Sequence, residues 1–289
     1  MTLVTRLSAT FTDATLPRLI SDPVWNEDGG RVLFDAKSLI CHPTQSTTIV
    51  PSTPLASAGE NNWPITTSTG RNYNPSTGRI TPYAAGGGSA GITMENSGSG
   101  NTGPYPIINN ASHAYAGVLW FYVPASFTAN SPTLLSKGAG NTSSSNSLTI
   151  SFDGTTNVLR VTRPKSTDTG YNNNAIVTPT LTEGVHRIGF GWDKAEGTWK
   201  RRGILNQATA VTGADSVDTF GSDTNGVNLP AAGSTWNLLL FGNIGFGFFN
   251  FGNAEIGIYR FYAENLTQSG RTIQQVWDAD WAYANGRFS

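Results

Sequence analysis

Over the first thirty residues the apolar positions keep no period. Leu16, Leu19, Ile20, Val24 and Trp25 gather around Pro17 and Pro23 without a sustained repeat of 2 or 3.6. This predicts an extended arm over 1–29. The doublet Gly29–Gly30 then introduces a short apolar run, Arg31-Val-Leu-Phe-Asp35, of strand character. From Cys41 to about Asn110 the chain changes to Pro, Ser, Thr, Gly and Asn, with pieces such as Gly86-Gly-Gly-Ser-Ala-Gly91 that would suit a linker. Trp63, Tyr73, Ile80, Tyr83, Ile92 and Met94 nevertheless recur through it, which favours irregular strands and loops packed on a core.

From residue 113 onward strand signals arrive at spacings of about 8–15 residues with turn residues between them, the pattern of an all-β sandwich. Strands are predicted at Gly117–Val123, Thr133–Lys137, Ser147–Phe152, Val158–Arg163, Gly184–Asp193, Thr198–Leu205, Trp236–Gly242 and Ala254–Ala263. In Val158-Leu-Arg-Val-Thr-Arg163 and Glu255-Ile-Gly-Ile-Tyr-Arg-Phe-Tyr262 the apolar side chains fall on one face and the polar or small ones on the other. That alternation predicts half-buried antiparallel strands. Only the end reads as a helix: Ser269 caps a segment in which Ile273, Val276, Trp277, Trp281 and Ala284 recur at intervals of three and four. Asn285–Gly286 stops it.

Composition supports the β reading. Charged residues make up 13% of the 289, with 5 Lys and 7 Glu against 25 Asn and 33 Gly. Surface helices are built from Lys, Glu and Arg, so turns and strands must dominate. The 8 Trp, 14 Phe and 9 Tyr supply enough apolar bulk for a core. With a net charge of -1 and no basic cluster beyond Lys200–Arg202, the chain has no electrostatic footprint for nucleic acid or an anionic membrane. Cys41 is the single cysteine and excludes an intrachain disulfide. Met1–Ile20 lacks the basic and apolar regions of a signal peptide, and the longest apolar runs, Val118–Val123 and Leu238–Phe241, are far short of the ~20 residues that span a bilayer. No membrane insertion is expected.

The order of the elements resembles the concanavalin-A-like jelly-roll domains, in particular the laminin-G-like group. The matching pieces are Gly117-Val-Leu-Trp-Phe-Tyr-Val123, Leu134-Leu-Ser-Lys-Gly138, Ser147-Leu-Thr-Ile-Ser-Phe-Asp-Gly154 and Val158-Leu-Arg-Val161. They continue with Gly184-Val-His-Arg-Ile-Gly-Phe-Gly-Trp-Asp193, Leu238-Leu-Leu-Phe-Gly242, Ala254-Glu-Ile-Gly-Ile-Tyr-Arg-Phe-Tyr262 and the closing stretch Asn265–Val276. The resemblance covers about residues 113–284. It implies an all-β jelly-roll sandwich of two antiparallel sheets with a short C-terminal helix, the core being 113–289. The lead-in, with Leu16-Pro-Arg-Leu19, Asp22-Pro-Val-Trp25 and Gly30–Ala36, is similar to that of tailed-phage virion proteins that carry this jelly roll. That likeness implies a loop-rich 30–112 contributing outer strands and a 1–29 arm that anchors on the particle. It also implies a chain made in the host cytoplasm and assembled with other virion proteins, with a homo-oligomer as one form of the assembly.

Candidate chemistry is sparse. Glycoside hydrolysis needs two carboxylates flanking the bond, and the glucanases that share this resemblance carry a Glu-x-Asp-x-Glu run that is absent here. The closest acidic pair, Asp193 and Glu196, reads as a hairpin turn. His42, His113 and His186 are scattered, so neither a triad nor a zinc site is indicated, and His186 reads as structural. Cys41 and His42 are sequence neighbours that point to opposite sides of an extended chain. No cofactor is expected; a Ca²⁺ site would draw on Asp215, Asp218 and Asp223 in the loop 213–226 or on Asp168, although these residues also suit turns. Sugars are held by aromatic faces with Asn and backbone donors on loops, which singles out Trp63 after Asn61–Asn62, Tyr73, Tyr171 and Asn172 as glycan candidates. The Phe/Gly-rich segment 241–252 is read either as an exposed partner patch or as a plug of the sandwich end. The expected function is a non-enzymatic virion component of tail, baseplate or capsid that contacts host-surface glycans. The alternatives are a carbohydrate-active enzyme or lectin module, and a purely structural decoration protein.

Overall fold

The predicted strand Gly117–Val123 is the middle of the molecule. In the computed structural model it runs from Tyr115 to Val123 and alternates two buried sets of side chains, one on each face. The described residues are 22–26, 28–38, 56–58, 61–62, 65–66, 72–81, 92–95, 114–125, 133–139, 148–152, 158–162, 176–193, 198–202, 218–219, 236–240 and 256–288. Ten strands form the first sheet: β1 (Gly30–Asp35), β2 (Ala56–Ala58), β3 (Asn61–Asn62), β5 (Asn72–Asn74), β6 (Arg79–Thr81), β8 (Tyr115–Val123), β13 (Gly184–Asp193), β14 (Thr198–Arg202), β15 (Asp218–Thr219) and β17 (Gly257–Asn265). Seven form the second: β4 (Ile65–Thr66), β7 (Ile92–Glu95), β9 (Thr133–Ala139), β10 (Leu148–Phe152), β11 (Val158–Thr162), β12 (Ile176–Thr180) and β16 (Trp236–Leu240).

The first sheet is ordered β15-β14-β13-β8-β17-β1-β2-β3, with the β5–β6 hairpin joined to β17 through Ile80 and Ile258. The second is ordered β12-β11-β10-β9-β16-β7-β4. Every pairing among the described strands is antiparallel, as in the β8–β13 ladder from Tyr115↔Trp192 to Val123↔Gly184. The sheets meet through their inner faces, where Phe121 of β8 meets Phe152 of β10 edge-on at 6.2 Å between ring centroids. Phe190 and Phe261 stack on the same face, and Gly117 beneath them makes room for the ring, because a Cβ there would lie 2.3 Å from Phe190 Cζ and force it to shift. The protein is thus an all-β concanavalin-A-like jelly-roll sandwich.

The opposite face of the first sheet is covered by α1 (Leu266–Ser269) and α2 (Ile273–Ala284). Asn265 caps α1, and Gly270 ends it with φ 71°. The expectation that Ser269 starts the long helix is corrected: Thr272 does, in a capping box with Gln275. Ile273, Val276, Trp277 and Ala284 turn inward onto Ala116, Val118 and Trp120 of β8, and Phe288 closes the cluster. This cover overturns the half-buried reading of β17, all nine residues of which are buried.

The lead-in joins the body earlier than expected. Val24 is fully buried in the cluster beneath α2, Asp22 is buried beside it, and β1 pairs with β17 over Gly30–Asp35. Asp22 and Val24 are therefore packed against the outer face of the sandwich. Residues 1–21 lie outside the described residues.

Candidate functional site

Between α2 and the first sheet the alternation of β13 and β17 places two arginines, Arg187 and Arg260, on the helix side opposite Trp120 of β8. Both are fully buried, and so is Asp280, which α2 inserts into its own apolar stripe. Asp280 Oδ2 accepts from Arg187 Nε at 3.1 Å and from Trp120 Nε1 at 2.7 Å, while Oδ1 accepts from Arg260 Nε at 3.0 Å. One carboxylate thus bridges two guanidinium groups and an indole.

Arg260 continues the chain of contacts into the lead-in. Its Nη1 donates to Asp22 Oδ2 at 2.6 Å and Asp35 Oδ2 at 2.9 Å, and its Nη2 donates to Asp22 Oδ1 at 3.0 Å. Arg287 Nη1 reaches the same Asp35 oxygen at 2.9 Å. Three arginines and three aspartates are therefore linked in one chain of contacts running from Arg187 to Arg287. Burial acts to lower the pKa of both central arginines, but the outcomes differ: the carboxylates of Asp280, Asp22 and Asp35 more than offset it and raise Arg260. For Arg187 burial prevails and its pKa is lowered, although Asp280 and, more weakly, Asp278 oppose this, and the neighbouring Arg260 charge adds to the lowering. Arg187 Nη2 donates to the Trp277 carbonyl, its Nη1 finds no partner among the described residues, and its guanidinium lies 5.7 Å from the Trp120 ring and 5.6 Å from Trp281.

A second group sits at the start of the helical region. Glu264 accepts from Tyr262 Oη at 2.6 Å and from Arg271, whose Nη2 also donates to the Val24 carbonyl at 2.9 Å. Burial, then Glu264, pushes the Tyr262 hydroxyl well up. Each of the four buried acids among the described residues, Asp22, Asp35, Glu264 and Asp280, is held by a guanidinium. Each of these carboxylates has its oxygens turned to guanidinium donors inside the fold rather than to a surface where a substrate would bind. Both groups are fasteners between helix, strands and lead-in.

The residues singled out from the sequence fall elsewhere. Tyr73 lies on β5 and is 2% exposed, and burial, then Asp35, raises its hydroxyl pKa. This corrects its place as a glycan platform, because an enclosed ring offers no face to a sugar. Trp63, Tyr171, Asn172, Asp215 and Asp223 lie outside the described residues, as do Asp168, Cys41, His42, His113 and segment 241–252. Asp218 pairs with Trp199 on β15. No group of His, Cys, Asp and Glu suited to a metal ion occurs among the described residues.

His186 is a core residue: it is 2% exposed, packs its ring 5.9 Å from Phe121, and engages the Thr182 carbonyl through Nε2 at 2.7 Å. Burial lowers its pKa, although the Thr182 contact opposes this. At the surface, Tyr122 donates to Glu183 Oε1 at 2.9 Å and carries the Arg79 guanidinium 4.0 Å above its ring. Sequence reasoning singled out neither this group nor the buried ion pairs. The signal for the latter was a lone aspartate, Asp280, within an otherwise apolar 3.6-period stripe.

The class defined by this architecture is a two-sheet jelly roll with a helix fastened on one outer face. No family model and no curated protein matches the chain. Among solved structures it is similar to the botulinum neurotoxin serotype D binding domain, with a TM-score of 0.55 and 10% identity over 89% of this chain and 51% of that one. It is similar also to a structure described as showing that cell entry of botulinum neurotoxin type C depends on interaction with two ganglioside molecules, with a TM-score of 0.52 and 10% identity over 87% of this chain and 50% of that one. Trypanosoma rangeli sialidase gives a TM-score of 0.52 at 9% identity, over 90% of this chain and 34% of the enzyme. The chain thus spans about half the length of the neurotoxin chains and a third of the sialidase. Such likeness shows the fold alone.

Proposed function

We propose that this chain is a non-enzymatic binding module, displayed on a phage virion, whose jelly roll presents loops to host-surface glycans. The observation that carries it is the buried ion-pair network: every buried acid among the described residues is committed to an arginine and to holding elements together. A rigid sandwich with its dense chemistry turned inward suits recognition by surface loops better than turnover. The fold likeness to a botulinum neurotoxin type C structure described in terms of interaction with two ganglioside molecules supports the same reading as an analogy of architecture. The resemblance of the lead-in to phage virion proteins supports the particle setting, with the N-terminal arm within 1–29 as the anchor.

The test is a glycan array probed with the purified chain, run beside a polysaccharide depolymerisation assay and immunolocalisation on particles. Binding without turnover, with the chain on the particle, is the expected result. Two sets of substitutions locate the contact: Trp63→Ala with Tyr171→Ala and Asn172→Ala on the loops, and Tyr122→Ala with Glu183→Gln on the sheet surface. Turnover abolished by removing a single pair of acids would establish an enzyme instead. Particle association with a blank array would establish a decoration protein.

A further inference from the structure

The residues that leave α2 carry a chemistry for which neither binding nor packing has a use. Asn285 closes the helix by donating its N–H to the Trp281 carbonyl at 3.0 Å, and Gly286 comes next with φ 78°. Both are exposed. Arg287 N–H is engaged by the Ala284 carbonyl at 3.1 Å, whereas the Gly286 N–H has no partner among the described residues. A Cβ on Gly286 would meet nothing within 4 Å, so the space around this peptide is open. We propose that Asn285 is a site of spontaneous deamidation, and that its conversion loosens the fastening of the C-terminal segment.

The step needs no reagent but water. The Gly286 nitrogen attacks Cγ of Asn285; the N–Cγ bond forms, the Cγ–Nδ2 bond breaks, and ammonia leaves with the amide proton. Water then adds to either carbonyl of the resulting five-membered imide and opens it to aspartate or isoaspartate. Asn285 stands at ψ 128°, so its peptide must rotate to bring the nitrogen onto Cγ. Exposure, the unengaged Gly286 N–H and the missing Cβ leave the peptide itself free of steric hindrance, so the rotation works only against the Arg287 N–H bond to Ala284 and the contacts of the two residues beyond.

Contacts made by the two residues beyond Gly286 give the conversion its consequence. Arg287 Nη1 holds Asp35 at 2.9 Å, its carbonyl accepts from Lys37 Nζ at 3.0 Å, and Phe288 stacks on Tyr259 at 4.8 Å between centroids. Isoaspartate would insert a methylene into the backbone between α2 and these contacts. Either product sets a new carboxylate at a helix C-terminus, where the exposed carbonyls disfavour negative charge.

The full chain, aged in mildly alkaline buffer, is mapped by peptide mass spectrometry and labelled with isoaspartyl methyltransferase, with a synthetic peptide of residues 282–288 as reference. Peptide mapping separates this site from Asn225–Gly226. We expect Asn285 to gain the mass of an amide-to-acid change and to take the methyl label, and Tm to fall with the converted fraction. Asn285→Ser should keep its Tm through the same ageing, and fresh Asn285→Asp should start lower. Asn285 left intact while the peptide converts, or conversion without a fall in Tm, would overturn the proposal.

Discussion

Asp280 is the residue on which the outer face of the first sheet depends. It is a buried acid on a helix stripe, and it bridges Arg187 and Arg260. Removing one member of a buried ion pair leaves its partners charged and unsatisfied, at a cost of about 3–5 kcal/mol. Asp280→Ala is therefore expected to lower stability by an amount of that order, read by urea titration, with the Trp120 indole losing its acceptor as well. His186 offers a pH-dependent counterpart. Its pKa is lowered in the folded protein from an ordinary 6.5, so the unfolded chain takes up the proton first as pH falls. Stability from this residue is present above about pH 6.5 and is lost as pH falls below it toward the lowered folded value. In His186→Gln the slope of stability against pH should flatten in that window, while the Gln amide can still donate to Thr182. An unchanged slope would show that the acid sensitivity lies elsewhere.

At the scale of elements, the strands from residue 115 onward were largely legible because their alternation is clean and turn residues bound them. Gly184–Asp193 agrees at both ends with its sequence-based expectation. Ile176–Thr180 was passed over, because a strand containing Pro179 is a poor fit to a ladder and here it pairs as an edge beside β11. Double-sided burial of β17 was not legible either. Alternation reveals which residues share a face, but not whether a distant helix arrives to cover the polar one, and Arg260 reads equally well as solvated or paired. Of the site candidates, the sequence picked loop aromatics by chemistry, whereas Tyr73 shows that a loop-like context can fold inward. The start of α2 was displaced by three residues, from Ser269 to Thr272, since both hydroxyls precede the apolar stripe and only Thr272 has Gln275 three places on. Thr272→Ala should lower stability by ~1 kcal/mol through loss of the cap, measurable as a shift in Tm.

For the whole molecule, the fastening of the lead-in to the sheet sets where the chain can be cut. A chain beginning at residue 30 would retain β1 but lose Val24 from the core and Asp22 from Arg260. We expect it to unfold at markedly lower denaturant than the full chain, whereas one beginning at residue 22 should match it in circular dichroism and Tm. If both truncations behave alike, the buried positions of Asp22 and Val24 carry little of the stability.

The pairing of β1 with β17 joins residues more than two hundred positions apart. While the protein is being synthesised, β1 can meet β2 early but must wait for almost the entire sandwich to emerge before it meets β17. Through that interval Asp35 has no arginine, and Phe34 has no Phe261 beside it. Folding of so non-local a sheet is expected to be slow, and a nascent chain whose apolar strand β1 has one edge open for so long is a natural client for chaperones. The same ordering means that a ribosome stalled before residue 257 would leave a product unable to complete its sheet.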